Sequence, residues 1–156
     1  MNKQRICIVG DGLAGLMAAV VLGRVPEVDI NLIAKKEKKN LDKRTTAISQ
    51  TNFKFIQENI VRLDNNLFWP SKNIELFYET SKEKINFLNL NEAHSNLMYV
   101  FENDKIKNIL LKEIRKNKIE IIRKDIKSLT DLKNYDLVIL CLGTKSNIYE
   151  NITKLK

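Results

Sequence analysis

The chain has 156 residues, a formal net charge of +8 at pH 7 and 44% hydrophobic residues. This length suits one domain with its own core, and the hydrophobic content excludes a disordered chain. The positive charge is typical of nucleic-acid-binding proteins, but the lysines are scattered along the chain, so we expect no nucleic-acid partner. No apolar run approaches the roughly 20 residues that a membrane-spanning helix needs. Asp11 and the glycines interrupt the N-terminal apolar stretch, which argues against a signal peptide.

The two cysteines predict a reduced, cytoplasmic protein. Cys7 and Cys141 each lie inside an apolar, strand-like run, where a buried and unpaired thiol is the expected state. The single histidine, His94, has no second candidate ligand near it in the sequence. We therefore expect no metal site and place His94 in a surface loop.

The segment from Gln4 to Leu22 predicts a buried strand, a tight glycine turn and a helix. Its glycines have the G-x-G-x-x-G spacing of dinucleotide-binding folds, where each has a physical role. Gly10 permits the sharp exit from the strand, Gly12 lets the backbone approach a pyrophosphate, and Gly15 lets the helix pack on the sheet. The helix N-terminus favours phosphate. The predicted binding residues of this turn are Gly10, Asp11, Gly12, Leu13, Ala14 and Gly15.

Val28 to Ile33 predicts the second strand of a βαβ unit. In NAD and FAD sites, an acidic residue at the end of this strand accepts hydrogen bonds from the ribose hydroxyls. Ala34 stands at that position, and Glu37 follows too late to be taken as equivalent. Lys35 and Lys36 leave two interpretations open: contact with the 2′-phosphate of NADP, or a solvated lysine-rich loop.

The remaining chain predicts helices and strands of both sheet types. Apolar spacing predicts a helix over 46–60, preceded by Arg44, which either binds an anion or pairs with Asp42. Strands are expected over 73–80 and 85–90 as a small antiparallel sheet, with Trp69 and Pro70 in the turn before it. Further expected elements are a helix capped by Asn103 and Asp104, a short strand over 118–123, and a central strand over 137–142 that ends at Gly143.

Four segments together resemble one family. They are GDGLAGLMAA at the start, DKRTTAIS after the second strand, YVFENDKIKNILL in the middle and LVILCLGTKSNI near the end. This combination resembles the FAD-dependent aromatic hydroxylases related to 4-hydroxybenzoate hydroxylase, and among them the ubiquinone-biosynthesis hydroxylases. The resemblance implies FAD as cofactor, NADPH as reductant and an aromatic or polyprenyl phenol as substrate. It also implies that Arg44 lies beside the flavin pyrophosphate and that Asn103 and Gly143 contact the cofactor.

The chain departs from this family in three ways. The family's ribose-binding glutamate corresponds to Ala34, and its Asp-Gly after the last strand corresponds to Leu142-Gly143, followed by Thr144 and Ser146. The family's second Gly-Asp segment and most of its substrate-binding domain have no counterpart. We therefore expect a single, truncated α/β domain over 1–156: a Rossmann-like FAD-binding βαβ sheet, with a small antiparallel segment over 70–100 as part of a substrate domain.

Three functions follow as expectations. The first is the FAD-binding N-terminal part of a flavin monooxygenase, inactive without its C-terminal part, which a separate complementing chain could supply. The second is a degenerate, non-catalytic nucleotide-binding module, and the third is an NADP-binding Rossmann protein. No catalytic residue is predicted. The cysteines predict a cytoplasmic location, which leaves peripheral attachment to the inner membrane open.

Overall fold

A computed structural model describes residues 3–35, 42–143, 146 and 148, and the chain divides into two compact units. One unit comprises residues 1–41 and 106–156, and the other comprises residues 42–105. The described helices are α1 (Leu13–Leu22), α2 (Gln50–Phe55) and α3 (Asn103–Lys116). The described strands are β1 (Gln4–Val9), β2 (Val28–Ala34), β3 (Thr45–Ser49), β4 (Phe68–Ser71), β5 (Asn73–Glu79), β6 (Lys84–Asn91), β7 (Met98–Glu102), β8 (Glu120–Arg123) and β9 (Leu137–Leu140).

The first unit is built on a parallel sheet of four strands in the order β8-β2-β1-β9. In the central pair, Ile6 lies opposite Ile30 and Ile8 lies opposite Leu32, and all four side chains are buried. Cys7 and Val9 are buried as well, so consecutive positions of β1 are buried, which is typical of a parallel strand that is covered on both faces. The sheet and a separate antiparallel one confirm the predicted α/β class and its Rossmann-like arrangement.

Apolar side chains cover this sheet on both faces. Helix α1 packs on β1 and β2 and buries Leu16, Ala19 and Val20 completely. On another part of the same unit, Cys7, Val9, Ile33 and Leu132 form a buried cluster. Leu132 belongs to a short 3₁₀ turn, Leu129–Leu132, that precedes β9. This packed core fixes the positions of the strand ends from which the loops begin.

The second unit contains an antiparallel sheet in the order β3-β7-β4. Its core is aromatic: the Phe53 and Tyr99 rings stack with centroids 3.9 Å apart, and Phe68 meets Phe101 edge to face at 5.6 Å. Strands β5 and β6 form a separate antiparallel hairpin, which confirms the small antiparallel sheet expected over 73–90. The hairpin pairs Ile74 with Leu90 and Leu76 with Leu88.

The helix expected over 46–60 is wrong in its first part. Residues 45–49 form β3, which pairs with β7 from Thr45 opposite Glu102 to Ser49 opposite Met98. The β-branched Thr45, Thr46 and Ile48 favour an extended backbone. The helix begins only after Ser49, whose hydroxyl accepts a hydrogen bond from the Asn52 amide at 3.2 Å, and a wider helical turn, Ile56–Ile60, follows it.

Two further expectations are corrected. Trp69 and Pro70 lie inside strand β4 rather than in a turn, and proline is tolerated there because β4 is at the edge of its sheet among the described strands. The apolar run over 137–142 forms a strand only from Leu137 to Leu140. Among the described strands, β9 is an edge strand that pairs with β1 alone, because β1 and β2 occupy the centre of the sheet. None of the helices in the described ranges has the length and apolar content needed to cross a membrane.

Candidate functional site

The glycine turn joins β1 to α1 at the carboxyl edge of the parallel sheet. Gly10 has a φ of +118°, a backbone conformation that side chains rarely adopt. Its amide donates to the Ile33 carbonyl at 2.8 Å, which ties the turn to the end of β2. A Cβ at Gly10 would overlap the carbonyl oxygen of Cys141, just after β9. The turn therefore contacts the end of β2 on one side and the residue after β9 on the other, and only glycine fits at position 10.

Gly12 stands at the start of α1 with open space in front of it. The first hydrogen bond of the helix runs from the Leu16 amide to the Gly12 carbonyl at 3.0 Å. The amides of the first turn are therefore available to a ligand, and the helix dipole favours an anion beside them. No side chain caps this helix end, and no described atom lies within 4 Å of a Cβ built on Gly12. The open space at Gly12 is the room that a pyrophosphate requires.

A cavity of about 390 Å³ lies in front of this helix end. Its size falls within the range of small-molecule and cofactor sites. Gly143, where a Cβ would also meet no described atom within 4 Å, lines it from the loop after β9. The lining residues are Gly10, Asp11, Gly12, Leu13, Ala14, Ile33, Lys35, Cys141, Leu142, Gly143 and Ser146.

Asp11 in the glycine turn is held by two cations. Its Oδ2 atom lies 3.4 Å from Lys107 Nζ, on α3, and 3.2 Å from Arg123 Nη1, at the end of β8. The same Arg123 nitrogen donates to the Lys35 carbonyl oxygen at 3.2 Å. The three side chains are one-quarter to one-third exposed, so water screens these pairs only partly. Charges of both signs thus meet at the carboxyl end of β2.

At the end of β2, an apolar residue takes the place of the expected acid. Ala34 is buried at 1% exposure and presents no polar side-chain atom where an acid was expected. Lys35 lines the cavity, but Lys36 and Glu37 lie outside the described residues. In the loop after β9, Ser146 lines the cavity, and Thr144 lies outside the described residues.

Arg44 belongs to the unit of residues 42–105, where it forms a bidentate pair with Asp42. Its Nε and Nη2 atoms each lie 2.7 Å from one oxygen of that carboxylate. These hydrogen bonds from the guanidinium lower the pKa of Asp42 well below its usual value. The Arg44 side chain is 80% exposed. Pairing with Asp42, one of the two roles that the sequence leaves open for Arg44, is the contact that the structure contains.

Asn103 is buried, at 8% exposure, in the same unit. Its Oδ1 atom accepts a hydrogen bond from the Thr46 hydroxyl at 2.6 Å, and its Nδ2 atom donates to Asp42 at 3.4 Å. Asn103 therefore links the Asp42–Arg44 pair to strand β3. The hydrogen bonds described here join residues of one unit, and cofactor contact at Arg44 and Asn103 stays a prediction from the resemblance.

The charged residues among the described lining of the cavity are Asp11 and Lys35, and the same unit contains two thiols. Burial raises the pKa of the Cys141 thiol, which lines the cavity, and raises that of the fully buried Cys7 to about 11. Both thiols are therefore protonated at neutral pH and poorly nucleophilic. Within the described residues, no group of three or more His, Cys, Asp and Glu side chains could hold a metal ion. His94 is exposed in a loop, as expected.

Lys107 and Arg123 are the contact residues that sequence reasoning missed. Arg123 lies opposite Ala34 in the β2–β8 register, so it can reach the end of β2 only because β8 is the next strand in the sheet. Strand order cannot be read from local periodicity. The available sequence signal for Arg123 was a basic residue at the carboxyl end of a short strand. In a lysine-rich chain, this signal could not be distinguished from the other basic residues.

No protein-family model matches the chain, and no curated protein sequence matches it. Solved structures do match in fold. A tetrameric 2-methyl-3-hydroxypyridine-5-carboxylic acid oxygenase aligns over 82% of this chain with a TM-score of 0.62 and 14% identity. The p-nitrophenol 4-monooxygenase of Pseudomonas putida DLL-E4 aligns over 78% with a TM-score of 0.57 and 14% identity. CtdE, in complex with FAD, aligns over 78% with a TM-score of 0.53 and 20% identity.

These likenesses define the class of fold. The chain has an α/β fold shared with part of these oxygenases, and one structure of that fold holds FAD. The chain spans about a third of the length of these structures: 33%, 32% and 30%, respectively. Because the identities are between 14% and 20%, the match shows the fold alone.

Proposed function

We propose that this chain is the FAD-binding N-terminal portion of a flavin-dependent monooxygenase. The observation that carries the proposal is the open space in front of Gly12, at an uncapped helix N-terminus that faces a cavity of about 390 Å³. The fold shared with an oxygenase and with CtdE, which was solved in complex with FAD, supports the proposal from outside the site. Four sequence segments that resemble aromatic hydroxylases support it independently.

The residues of the cavity fit the pyrophosphate of FAD. The amides at the start of α1 would donate to the phosphate oxygens, and the helix dipole would stabilise their charge. Gly10 and Gly12 let the backbone approach, since side chains there would collide with Cys141 or fill the cavity. Gly143, after β9, provides a second open approach in the lining of the cavity.

Hydroxylation chemistry would belong to the cofactor. When bound and reduced, FAD supplies the reaction with O₂ that hydroxylation needs. The chain contributes binding and orientation through the glycine turn. Excluding water from the reacting atoms requires a lid and a substrate domain, and the chain spans only a third of the related structures. We therefore propose that it hydroxylates no substrate by itself and needs a complementing segment.

Finer points of the proposal come from the sequence alone. They are a ubiquinone-biosynthesis type of hydroxylase, an aromatic or polyprenyl phenol substrate, NADPH as the reductant, and a site in the cytoplasm or at the inner membrane. Rapid, substrate-dependent NADPH oxidation by this chain alone would contradict the need for a complementing segment.

FAD binding tests the central proposal directly. Isothermal titration and the change in flavin fluorescence should show saturable binding of FAD to the wild-type chain. Gly12→Ala adds a methyl group to the cavity without overlapping a described atom, so it should weaken binding roughly tenfold or more while the protein stays folded. Glu27→Ala, at the amino edge of the same sheet, is the matched control and should bind FAD like the wild type.

The two cofactor contacts predicted in the other unit are tested in the same titration. Arg44→Ala removes an exposed guanidinium, and Asn103→Ala removes a buried amide. A loss of FAD affinity in Arg44→Ala, with the protein still fully folded at the temperature of the titration, supports the pyrophosphate contact. If both variants bind FAD with wild-type affinity, Arg44 and Asn103 do not belong to the proposed site.

A non-catalytic module is the second candidate, and Ala34 favours it. The ribose acceptor normally found at the end of β2 is replaced by a buried methyl group. If the wild-type chain binds none of FAD, NAD and NADP, this candidate replaces the first. If it binds NADP alone, the cations at the end of β2, Lys35 and Arg123, define an NADP-binding Rossmann protein instead.

A further inference from the structure

The end of β2 lacks its acid, but an acid from another element reaches the same place. Asp11 Oδ2 and the Lys35 carbonyl oxygen each lie 3.2 Å from the same Arg123 nitrogen. The two oxygens are therefore at most twice that distance apart. Asp11 and Lys35 both line the cavity. The carboxylate of Asp11 thus lies beside the backbone of Lys35, which directly follows Ala34. Ala34 is the position at which a ribose-binding acid is expected.

From this geometry we propose that Asp11 is the ribose acceptor of the nucleotide site, in place of the acid missing at Ala34. The inference rests on the proposed function, because it assigns a role within the same nucleotide site. It makes Asp11 a specificity-determining residue that favours a ribose with free hydroxyls.

The two cations hold Asp11 in position and leave it capacity to accept more bonds. Lys107 and Arg123 both contact Oδ2, and a carboxylate has about four acceptor sites on its two oxygens. The cations come from α3 and from β8, so the carboxylate is held from two sides. A side chain fixed in this way loses little entropy when it accepts a hydroxyl group.

The same carboxylate disfavours a phosphorylated ribose. A 2′-phosphate placed beside Asp11 would bring two like charges together, and such repulsion excludes the wrong ligand. Without Asp11, Lys107 and Arg123 would lose a negative partner and, together with Lys35, would favour that phosphate. The interpretation of Lys35 as part of a 2′-phosphate site differs for the wild type, which it predicts to bind NADP more tightly than NAD.

Nucleotide titrations on the full chain test this role. The wild type should bind ADP roughly tenfold to a hundredfold more tightly than 2′-deoxy-ADP, which corresponds to a hydrogen bond with a charged acceptor. Asp11→Asn removes the charge at nearly constant size and should reduce that preference to a few-fold. It should also shift the ratio of NADP to NAD affinity towards NADP. Asp29→Asn, an exposed aspartate near the start of β2, is the control and should keep both wild-type ratios.

The outcomes separate the two proposals. If the wild type binds ADP and FAD but Asp11→Asn keeps both ratios, the inference is wrong and the proposed function stands. If the wild type binds neither ADP nor FAD, the proposed function fails and the inference fails with it. The comparison of ADP with 2′-deoxy-ADP on the wild type needs no variant, so the absence of a preference there overturns the inference even if Asp11→Asn does not fold.

Discussion

Gly15 packs directly against the backbone of Gly10. A Cβ at Gly15 would overlap the Gly10 carbonyl oxygen and would lie 3.2 Å from the Cys141 Cβ. The first turn of α1 therefore touches both the glycine turn and the loop after β9. This close approach sets the position of the helix N-terminus, and thereby of the amides that we propose bind phosphate.

Alanine at Gly15 should destabilise the protein, while alanine at Gly12 should not. Gly15→Ala forces a backbone shift, for which overpacking costs are about 1–3 kcal/mol. Gly12→Ala meets open space and should cost less than about 1 kcal/mol as a change at the helix N-cap. Urea denaturation of both variants measures the difference in the free energy of unfolding. Equal losses in the two variants would show that the close contact of Gly15 with Gly10 carries no stability.

The two cysteines should differ in reactivity. Cys7 is fully buried with a pKa raised to about 11, whereas Cys141 is partly exposed and lines the cavity. In mildly alkaline buffer, iodoacetamide should alkylate Cys141 in the native protein and Cys7 only after unfolding, because thiolate and access are both required. Mass spectrometry of the digested protein measures this.

Ligand protection extends the test of the cysteines. Saturating FAD should slow alkylation of Cys141, because a bound ligand would occupy the cavity that this side chain lines. Labelling of unfolded protein in the presence of FAD is the control for a direct effect on the reagent. Native labelling of Cys7 at the rate of Cys141 would contradict the packing around β1.

The glycine turn and the βαβ unit could be predicted from the sequence because their signals are local. Strand β1, helix α1 and strand β2 each follow from apolar periodicity and from the glycines between them. The open space in front of Gly12 agrees with the role predicted for that glycine. Local patterns were sufficient here because sequence neighbours are also neighbours in space.

The contacts of Asp11 could not be predicted because they depend on strand order. Lys107 and Arg123 are distant from Asp11 in sequence and meet it only after β8 takes its place beside β2. Strand β3 was missed for a similar reason. Its alternating residues join directly to a helical pattern, and pairing with β7 decides the extended state of Thr45–Ser49.

The Asp42–Arg44 pair should make stability depend on pH in the acid range. The folded pKa of Asp42 lies below its unfolded value, so the unfolded state binds the proton at the higher pH. The stabilisation is therefore present above the unfolded pKa, about 3.9 for aspartate, and is lost as pH falls through the folded pKa. The effect should be small, because Arg44 is 80% exposed and water screens the pair.

Thermal unfolding of Asp42→Asn against pH tests this dependence. At neutral pH the variant should melt slightly below the wild type, and the two melting temperatures should converge in acid. Arg44→Gln should give the same pattern, because it removes the other partner. A difference that stays constant down to the lowest pH would show that the carboxylate charge is not its source.

The hydrogen bond between Thr46 and Asn103 should contribute to the free energy of unfolding, which a double-mutant cycle can measure. The bond is 2.6 Å long, and Asn103 is 8% exposed, so removing one partner leaves the other polar group short of a hydrogen bond. Asn103→Ala and Thr46→Val should each destabilise the protein by about 1–3 kcal/mol. The double variant should lose less than the sum of the single losses, with a coupling energy of about 0.5–1.5 kcal/mol. Urea denaturation of all four proteins completes the cycle. Strictly additive losses would mean that Asn103 stabilises its unit through packing and through Asp42 rather than through Thr46.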